Sequence, residues 1–353
     1  MMDYLDGIIK PLLDWYERNA RSLPWRDDPT PYRVWVSEIM LQQTRVKTVR
    51  PYFDRFMREL PNIHALANAT ESQILKLWEG LGYYNRVRNM QKAACIVELE
   101  HGGELPSSPS ELEKLPGIGA YTAGAIASIA FGLPHPAVDG NVLRVFARLK
   151  ADNCDIALPG TKKQVEDEVR QMMPKGQAGD FTQALMELGA MVCLPNGAPL
   201  CGVCPLIHIC EAKAAGIQLE LPVKKPKAKR RKVKRTILLI TDGQRLALQK
   251  RQDKGLLAGL WELPSMDGFC DNEEVRRWAM DRGLQVESIA PVGATKHIFT
   301  HVEWLMQGFY VKVKKGKHAG FIWPSRVEIL EKYAVPSAFA AYMPFFMGGK
   351  GNG

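Results

Sequence analysis

The stretch EKLPGIGAYTAGAI, residues 113–126, reads as the end of one helix, a tight Gly-X-Gly turn and the start of another helix. Gly117 and Gly119 carry no Cβ, so the turn can come close to another surface. The helix that follows offers backbone N–H groups with no internal partner. Such a turn suits a phosphate. A plain αα-hairpin would show the same pattern, so its meaning depends on its surroundings. Twenty residues beyond Gly119 the chain reads VDGNV at 138–142 and enters another helix, with Asp139 placed to cap it.

Outward from this hairpin the pattern is helical from Asp3 to about Ile217. Apolar residues recur at spacings of three and four in Ile74, Leu75, Trp78 and Leu81, and again in Val142, Val145, Phe146 and Leu149. Turn signals interrupt it at Leu23-Pro24, Leu60-Pro61, His101-Gly102-Gly103, Leu115-Pro116-Gly117 and Leu133-Pro134. A charge run then marks a boundary. Residues 223–235, VKKPKAKRRKVKR, hold nine of the 47 Lys and Arg residues and no acid, and the 38 basic residues outside it equal the 38 Asp and Glu. The run reads as a linker, either a solvated spacer or an arm that follows phosphates or signals nuclear import. After it the period changes. Residues 236–240 and 245–249 flank Asp242-Gly243, a hairpin turn, and HIFTHVEWLMQGFYVKV at 297–313 alternates partly, as a strand does. Helices are expected over 272–282 and 326–332. The organisation expected is a mainly α region (1–222), a basic linker (223–235), an α+β domain (236–345) and a disordered tail (346–353).

Four of the seven cysteines crowd into eighteen residues: Cys193, Cys201, Cys204 and Cys210, with seven, two and five residues between them. Four thiolates from one short loop can hold a metal ion or an iron–sulfur cluster, with only His208 nearby as a competing ligand. Disulfides fit poorly. The cysteine count is odd, and the chain opens MMDYLDGIIKPLLDWYERN without a charged-then-apolar secretory segment. Zinc is the rival, although structural zinc usually shows two close pairs and only Cys201 and Cys204 form one. Cys95, Cys154 and Cys270 stand apart and read as ordinary thiols. At 46% hydrophobic the composition is that of a globular protein, and no apolar run approaches a membrane span.

Two carboxylates carry the chemistry. Glu38 sits in VWVSEIMLQQT at 34–44, where its neighbours are nearly all apolar. A carboxyl so placed has a raised pKa, as a general acid needs near neutral pH; a surface Glu on the polar edge of that helix is the plainer alternative. A protonatable Glu with an ionised Asp139 is the pair that cleaves a glycosidic bond: one protonates the leaving group and the other stabilises the oxocarbenium ion.

Six segments together carry a family resemblance: LPWR (23–26), SEIMLQQT (37–44), GLGYYNR (80–86), LPGIGAYTAGAI (115–126), AVDGNVLRV (137–145) and the cysteine loop. The chain resembles the MutY-type adenine DNA glycosylases of the helix-hairpin-helix superfamily over most of its length. The resemblance implies a helical glycosylase region of two lobes plus an iron–sulfur loop. It also implies removal of adenine mispaired with 8-oxoguanine, or secondarily with G, after the adenine flips out of the duplex. Glu38 matches the acid that protonates the adenine ring. Asp139 matches the carboxylate that stabilises or bonds to the sugar, and Tyr121 and Asn141 match residues that position these groups. Trp25, Arg26, Leu41 and Gln183 fall where the family lines its adenine pocket, and Gln43 and Tyr83 where it wedges into the duplex. The related endonuclease III has a nucleophilic Lys at the position of Tyr121, and some relatives have a Lys where this chain has Leu143, so a monofunctional glycosylase is expected. The four cysteines are implied to hold one 4Fe–4S cluster of mainly structural role, in a loop that helps hold DNA phosphates. The first gap of that loop is seven residues, where the family usually has six.

GLLAGLWELP at 255–264 resembles the start of a nudix-like domain. The acid-rich sequence that binds magnesium in nudix hydrolases is missing, because the corresponding stretch is DNEEVRRWAMDRGL, so recognition is expected here and hydrolysis is not. Phe299, Thr300 and His301 match the family's Phe-Ser-His loop that reads 8-oxoguanine, with Thr in place of Ser. A strand segment with an inward Phe is the plainer reading of these three. The rivals are an endonuclease III-like glycosylase/lyase and a non-catalytic iron–sulfur DNA-binding protein. A monomer acting on double-stranded DNA in the bacterial cytoplasm, away from membranes, is the expected setting.

Overall fold

The first two hundred or so residues of the computed structural model are helices joined by short turns. The structure describes residues 2–225, 229–314 and 320–348. In order they are α1 Met2–Asn19, α2 Pro24–Asp27, α3 Pro31–Leu41, α4 Val46–Glu59, α5 Ile63–Asn68, α6 Glu71–Leu77, α7 Asn85–Glu100, α8 Pro109–Leu112 and α9 Ala120–Ala125. A π-turn at Ile126–Ala130 extends α9, followed by α10 Gly140–Leu149, α11 Pro159–Met172, α12 Ala178–Met191 and α13 Glu211–Ala214. Local chemistry starts several of them. Thr30 accepts from Arg33 N ahead of Pro31, Asn62 accepts from Ala65 N, and Thr70 accepts from Gln73 N, each satisfying an N–H the helix leaves open.

The chain packs as two units that do not follow chain order: residues 1–69 with 89–226, and residues 70–88 with 227–353. In the first unit, α1 supplies Ile8, Leu12 and Trp15 to a core shared with Val142, Val145, Phe146 and Leu149 of α10 and Phe181, Leu185 and Leu188 of α12. Gly189 makes this packing possible, since a Cβ there would lie 2.6 Å from the Asn141 Cβ. Gly117 takes the left-handed conformation (φ +82°), and a Cβ on it would meet the Asn89 Cβ at 2.8 Å, so the hairpin turn requires glycine there. Gly119 has an ordinary φ of −102° and open space where its Cβ would point, so nothing within this chain demands a glycine at that position.

The second unit is built on a four-stranded sheet, with β1 Arg231–Thr241, β2 Gln249–Lys250, β3 Trp261–Glu262, β4 Ser265–Asp267, β5 Val286–Ile298 and β6 Val302–Val313 in chain order. The sheet runs β4-β1-β6-β5, with β1 and β6 parallel and the outer pairs antiparallel; β2 and β3 form a separate pair. Side chains alternate by face. Ile237 and Leu239 join Trp304 and Met306 against Phe339, Tyr342 and Phe346, while Leu238 and Ile240 join Val311 and Val313 against Val275 and Ala279. The helices α14 Asn272–Met280 and α15 Arg326–Glu331 lie where expected, each opened by a capping box, and α16 Met343–Met347 closes the fold.

Several expectations need adjustment. The basic stretch is not all linker: β1 already begins at Arg231, where pairing with Val302 on β6 draws the chain into the sheet. At its other end Val223 O accepts from Ile156 N at 3.2 Å, and Lys225 N donates to Asp155 at 3.4 Å. Residues 226–228 lie outside the described residues. The Asp242-Gly243 turn forms, but 245–248 make only isolated bridges, to 241, 322 and 325. The run at 297–313 is broken by a loop at 299–301, and β5, which the sequence reading did not single out, precedes it. The expected tail starts too early, because Phe346 is buried in the core of α16 and the sheet; residues 349–353 lie outside the described residues.

Candidate active site

Asp139 is set by the helix it caps. Its Oδ1 accepts from Asn141 N at 2.8 Å and Val142 N at 2.9 Å, and its Oδ2 accepts from Asn141 Nδ2 at 2.7 Å. Asn141 is itself held, because its Oδ1 accepts from Arg144 Nη2 at 2.8 Å. The buried Arg144 ties the start of α10 to α12 and the cysteine loop through Gly189 O (2.8 Å) and Cys193 O (2.7 Å). Burial pushes the Asp139 carboxyl above its ordinary value, opposed by the N–H donors of Val142 and Asn141 and by the charge of Arg144. Both oxygens accept, as those of an ionised carboxylate do.

Glu38 lies on α3, a helix buried almost all round, and is itself only 6% exposed. Tyr121 on α9 donates its hydroxyl to Glu38 Oε2 at 2.6 Å. Burial raises the Glu38 pKa to about 7; the Tyr121 hydrogen bond opposes the rise, the Asp139 charge adds to it, and Arg26 opposes it. The plainer alternative of a surface Glu is therefore excluded. The same burial drives the Tyr121 phenol well above its usual range, so it stays a neutral donor.

These groups face one cavity of about 1030 Å³. Glu38, Asp139, Tyr121 and Asn141 line it together with Trp25, Arg26, Leu41, Gln43 and Gln183, so nine of the residues singled out from sequence converge on one space. The size and the mixed apolar and polar wall suit an organic ligand of nucleotide size. The others lie elsewhere. Gly117 and Gly119 stay on the hairpin. In the second unit, Tyr83 has a left-handed backbone (φ +48°), and its hydroxyl lies 3.1 Å from Thr300 Oγ1. Phe299, Thr300 and His301 form the loop between β5 and β6, not strand. Phe299 packs edge-on against Trp304 (4.9 Å between centroids) and against His297 (4.6 Å).

Arg21, Met186 and Glu187 are among the cavity residues that were not anticipated. Met186 Sδ lies 3.9 Å from the Tyr121 hydroxyl. Glu187 is four residues beyond Gln183 on α12, on the same helical face, and that spacing was the one signal able to find it.

The four cysteines line a second, smaller cavity with Leu149, Leu188, Val192 and Leu206, and none of the four is in a disulfide. His208 is exposed and does not line it. Arg148 Nη1 donates to Cys193 Sγ at 3.2 Å. Burial pushes the Cys204 thiol up to about 11 and raises Cys210 as well, and a cation among these sulfurs would favour their thiolate forms. Among the described residues no three His, Cys, Asp or Glu side chains pinch onto one ion position. The four sulfurs border one shared space, and their thiolates suit an iron–sulfur group or zinc.

Residues 36–175 match the family model described as HhH-GPD superfamily base excision DNA repair protein, and residues 236–344 match the NUDIX domain. An adenine DNA glycosylase of Rattus norvegicus is 36% identical over 356 residues, covering 84% of this chain and 68% of that protein. One from Buchnera aphidicola subsp. Baizongia pistaciae is 34% identical, with 86% of each chain covered. The chain thus spans about two thirds of the length of the mammalian relatives it matches. Among solved structures, a thermostable thymine-DNA glycosylase superposes with a TM-score of 0.55 at 26% identity, covering 60% of this chain and 97% of the other. Among the described residues no helix is long and apolar enough to cross a membrane.

Proposed function

The chain belongs to the adenine DNA glycosylases of the HhH-GPD base excision repair superfamily, and from that premise we propose that it hydrolyses the N-glycosidic bond of adenine mispaired with 8-oxoguanine, or with G, in duplex DNA. The observation that carries this reading is the placement of Glu38 and Asp139 in one cavity with opposite surroundings. Glu38, with a pKa of about 7, still holds its proton in a large share of molecules at neutral pH and donates it to the adenine ring. The C1′–N9 bond then breaks, its electron pair leaving with the protonated base. Asp139, accepting from three N–H groups, supplies the negative charge that the oxocarbenium ion needs, before water adds at C1′. Tyr121 has a phenol where a lyase needs an amine, and Leu143 has no amine either, so neither position can form a Schiff base, and an intact abasic strand is the expected product.

Trp25, Arg26, Leu41 and Gln183 enclose the flipped base in this scheme, and Gln43 and Tyr83 fill the duplex it leaves. The open face of Gly119 supports a backbone approach to DNA phosphates at the hairpin. The loop of Phe299, Thr300 and His301 reads the 8-oxoguanine strand, with Phe299 anchored on Trp304 and Thr300 presented beside Tyr83. Cys193, Cys201, Cys204 and Cys210 hold one 4Fe–4S cluster, which when bound cross-links the loop and stabilises this end of the helical unit. A monomer belongs to this reading, and the bacterial relative supports a cytoplasmic, DNA-associated setting.

The test is single-turnover adenine release from a duplex with one A opposite 8-oxoguanine, scored with and without alkali. Strand breaks seen chiefly after alkali are expected. Breaks without alkali would return the lyase reading, and no base release from cluster-loaded protein would leave a DNA-binding protein.

A further inference from the structure

The wall of the catalytic cavity carries a charged cluster whose electrostatics the scheme above leaves out. Arg21, Arg26 and Glu187 all line it. Arg21 Nε donates to Glu187 Oε2 at 2.8 Å, Arg21 Nη2 donates to Oε1, and Arg26 Nη2 lies 3.0 Å from the same Oε1. Glu187 is 2% exposed, against 36% for the Arg21 side chain and 15% for Arg26. One buried carboxylate therefore serves two guanidiniums. Arg26 is further fixed by donating to Arg21 O at 3.1 Å and lies over the Tyr16 ring at 5.8 Å, while its Nε is buried with no acceptor among the described residues.

Such a wall is a problem for the chemistry proposed for this cavity. The base becomes positively charged on protonation and the sugar becomes an oxocarbenium ion, so the reacting centre gains positive charge. Two guanidiniums beside it would oppose that gain, and the low-dielectric cavity would screen them poorly. With Glu187 ionised the group carries one net positive charge instead of two. Burial pushes the Glu187 carboxyl up, but the two arginines outweigh it and hold the carboxyl below its ordinary value, which favours the ionised form at neutral pH.

We propose that Glu187 is a positioning residue for base excision: it clamps Arg21 and Arg26 against the cavity wall and offsets their charge, so that the site accepts a transition state that turns cationic. This rests on the adenine-excision reading. It deepens that reading by assigning a role to a residue that acts through the two arginines it holds.

The experiment compares wild type, Glu187→Gln, Glu187→Asp and the double variant Arg21→Gln/Glu187→Gln, each cluster-loaded, on an A:8-oxoguanine duplex. Single-turnover release rates are read at saturating enzyme. Affinity is read on the same duplex carrying 2′-fluoro-2′-deoxyadenosine, whose glycosidic bond resists cleavage. Glu187→Gln keeps the shape and leaves two uncompensated cations, so its rate should fall on the order of ten- to a hundredfold. Its affinity for the polyanionic duplex should hold or tighten. Glu187→Asp should keep most of the rate, and the double variant, with one cation and no anion, should recover most of what Glu187→Gln loses. A Glu187→Gln rate within about twofold of wild type, on the scale where tenfold is 1.4 kcal/mol, overturns the role. So does a double variant as slow as the single one, or a loss of rate matched by a loss of affinity, either of which marks a structural brace only. No release from the wild-type chain overturns the excision reading, and this role with it.

Discussion

The two carboxylates of the cavity differ in what surrounds them, and their predictions differ accordingly. Asp139 is held by three N–H donors at the start of α10, so Asp139→Asn keeps the shape and loses the charge. Excision should drop by about three orders of magnitude or more while duplex binding stays within a few-fold, as measured by single-turnover kinetics and titration. Glu38 works protonated. With its pKa at about 7, the release rate should be high below that value and fall as pH rises through it. The Tyr121 hydrogen bond favours the Glu38 carboxylate, so Tyr121→Phe should raise the Glu38 pKa and move that alkaline limb to higher pH. A pH–rate profile of the variant with its limb unmoved or moved down would sink this account. The two groups were not equally legible in the sequence. Asp139 could be read as a cap because capping is a local event between a residue and the next three. The burial of Glu38 could not, because α3 is covered on nearly every side and its apolar period marks no exposed face.

At the scale of elements, the site depends on two helices meeting closely. Asn141 on α10 both donates to Asp139 and abuts Gly189 on α12. Gly189→Ala would place a methyl 2.6 Å from the Asn141 Cβ, and neither backbone can yield without moving the cap. A stability loss of about 1–3 kcal/mol is expected by chemical denaturation, with a slower release rate, because overpacking here tilts the helix that carries Asp139. The second unit makes a parallel point about periodicity. Alternation in 302–313 correctly marks strand, but the sequence pattern ran through 299–301 without a break. The antiparallel pairing of Ile298 with Glu303 shows that those three residues form the turn, the loop that the family resemblance implies there. β5 went unmarked because its residues are mostly exposed or half-buried and show no clean alternation.

For the molecule as a whole, the division into units departs from the expected chain order. Residues 70–88 pack with the C-terminal unit: Lys76 Nζ donates to Ile329 O at 3.0 Å and Tyr333 O at 3.2 Å, and Val335 N donates to Glu79 Oε1 at 2.7 Å. Tyr83 lies on this same segment. A chain truncated after residue 226 should therefore still release adenine while losing preference for 8-oxoguanine over G. It should also be cut faster by protease within 70–88, where its packing partners are gone. An unchanged preference together with unchanged proteolysis would show that the segment stands without the C-terminal unit.

The sequence by itself determined the reactions open to this protein. Caps, turns and the cysteine spacing are local features, written within a few residues and set by backbone hydrogen bonding and side-chain type. The tertiary structure alone decided which groups share a space. It set Glu38 against Tyr121, brought Arg21 and Arg26 onto Glu187, and drew residues 70–88 away from their neighbours in sequence. Those pairings span from 83 residues (Glu38 to Tyr121) to more than 250 (Lys76 to Ile329). Burial and close approach of helices create them, and neither leaves a periodic trace in the chain.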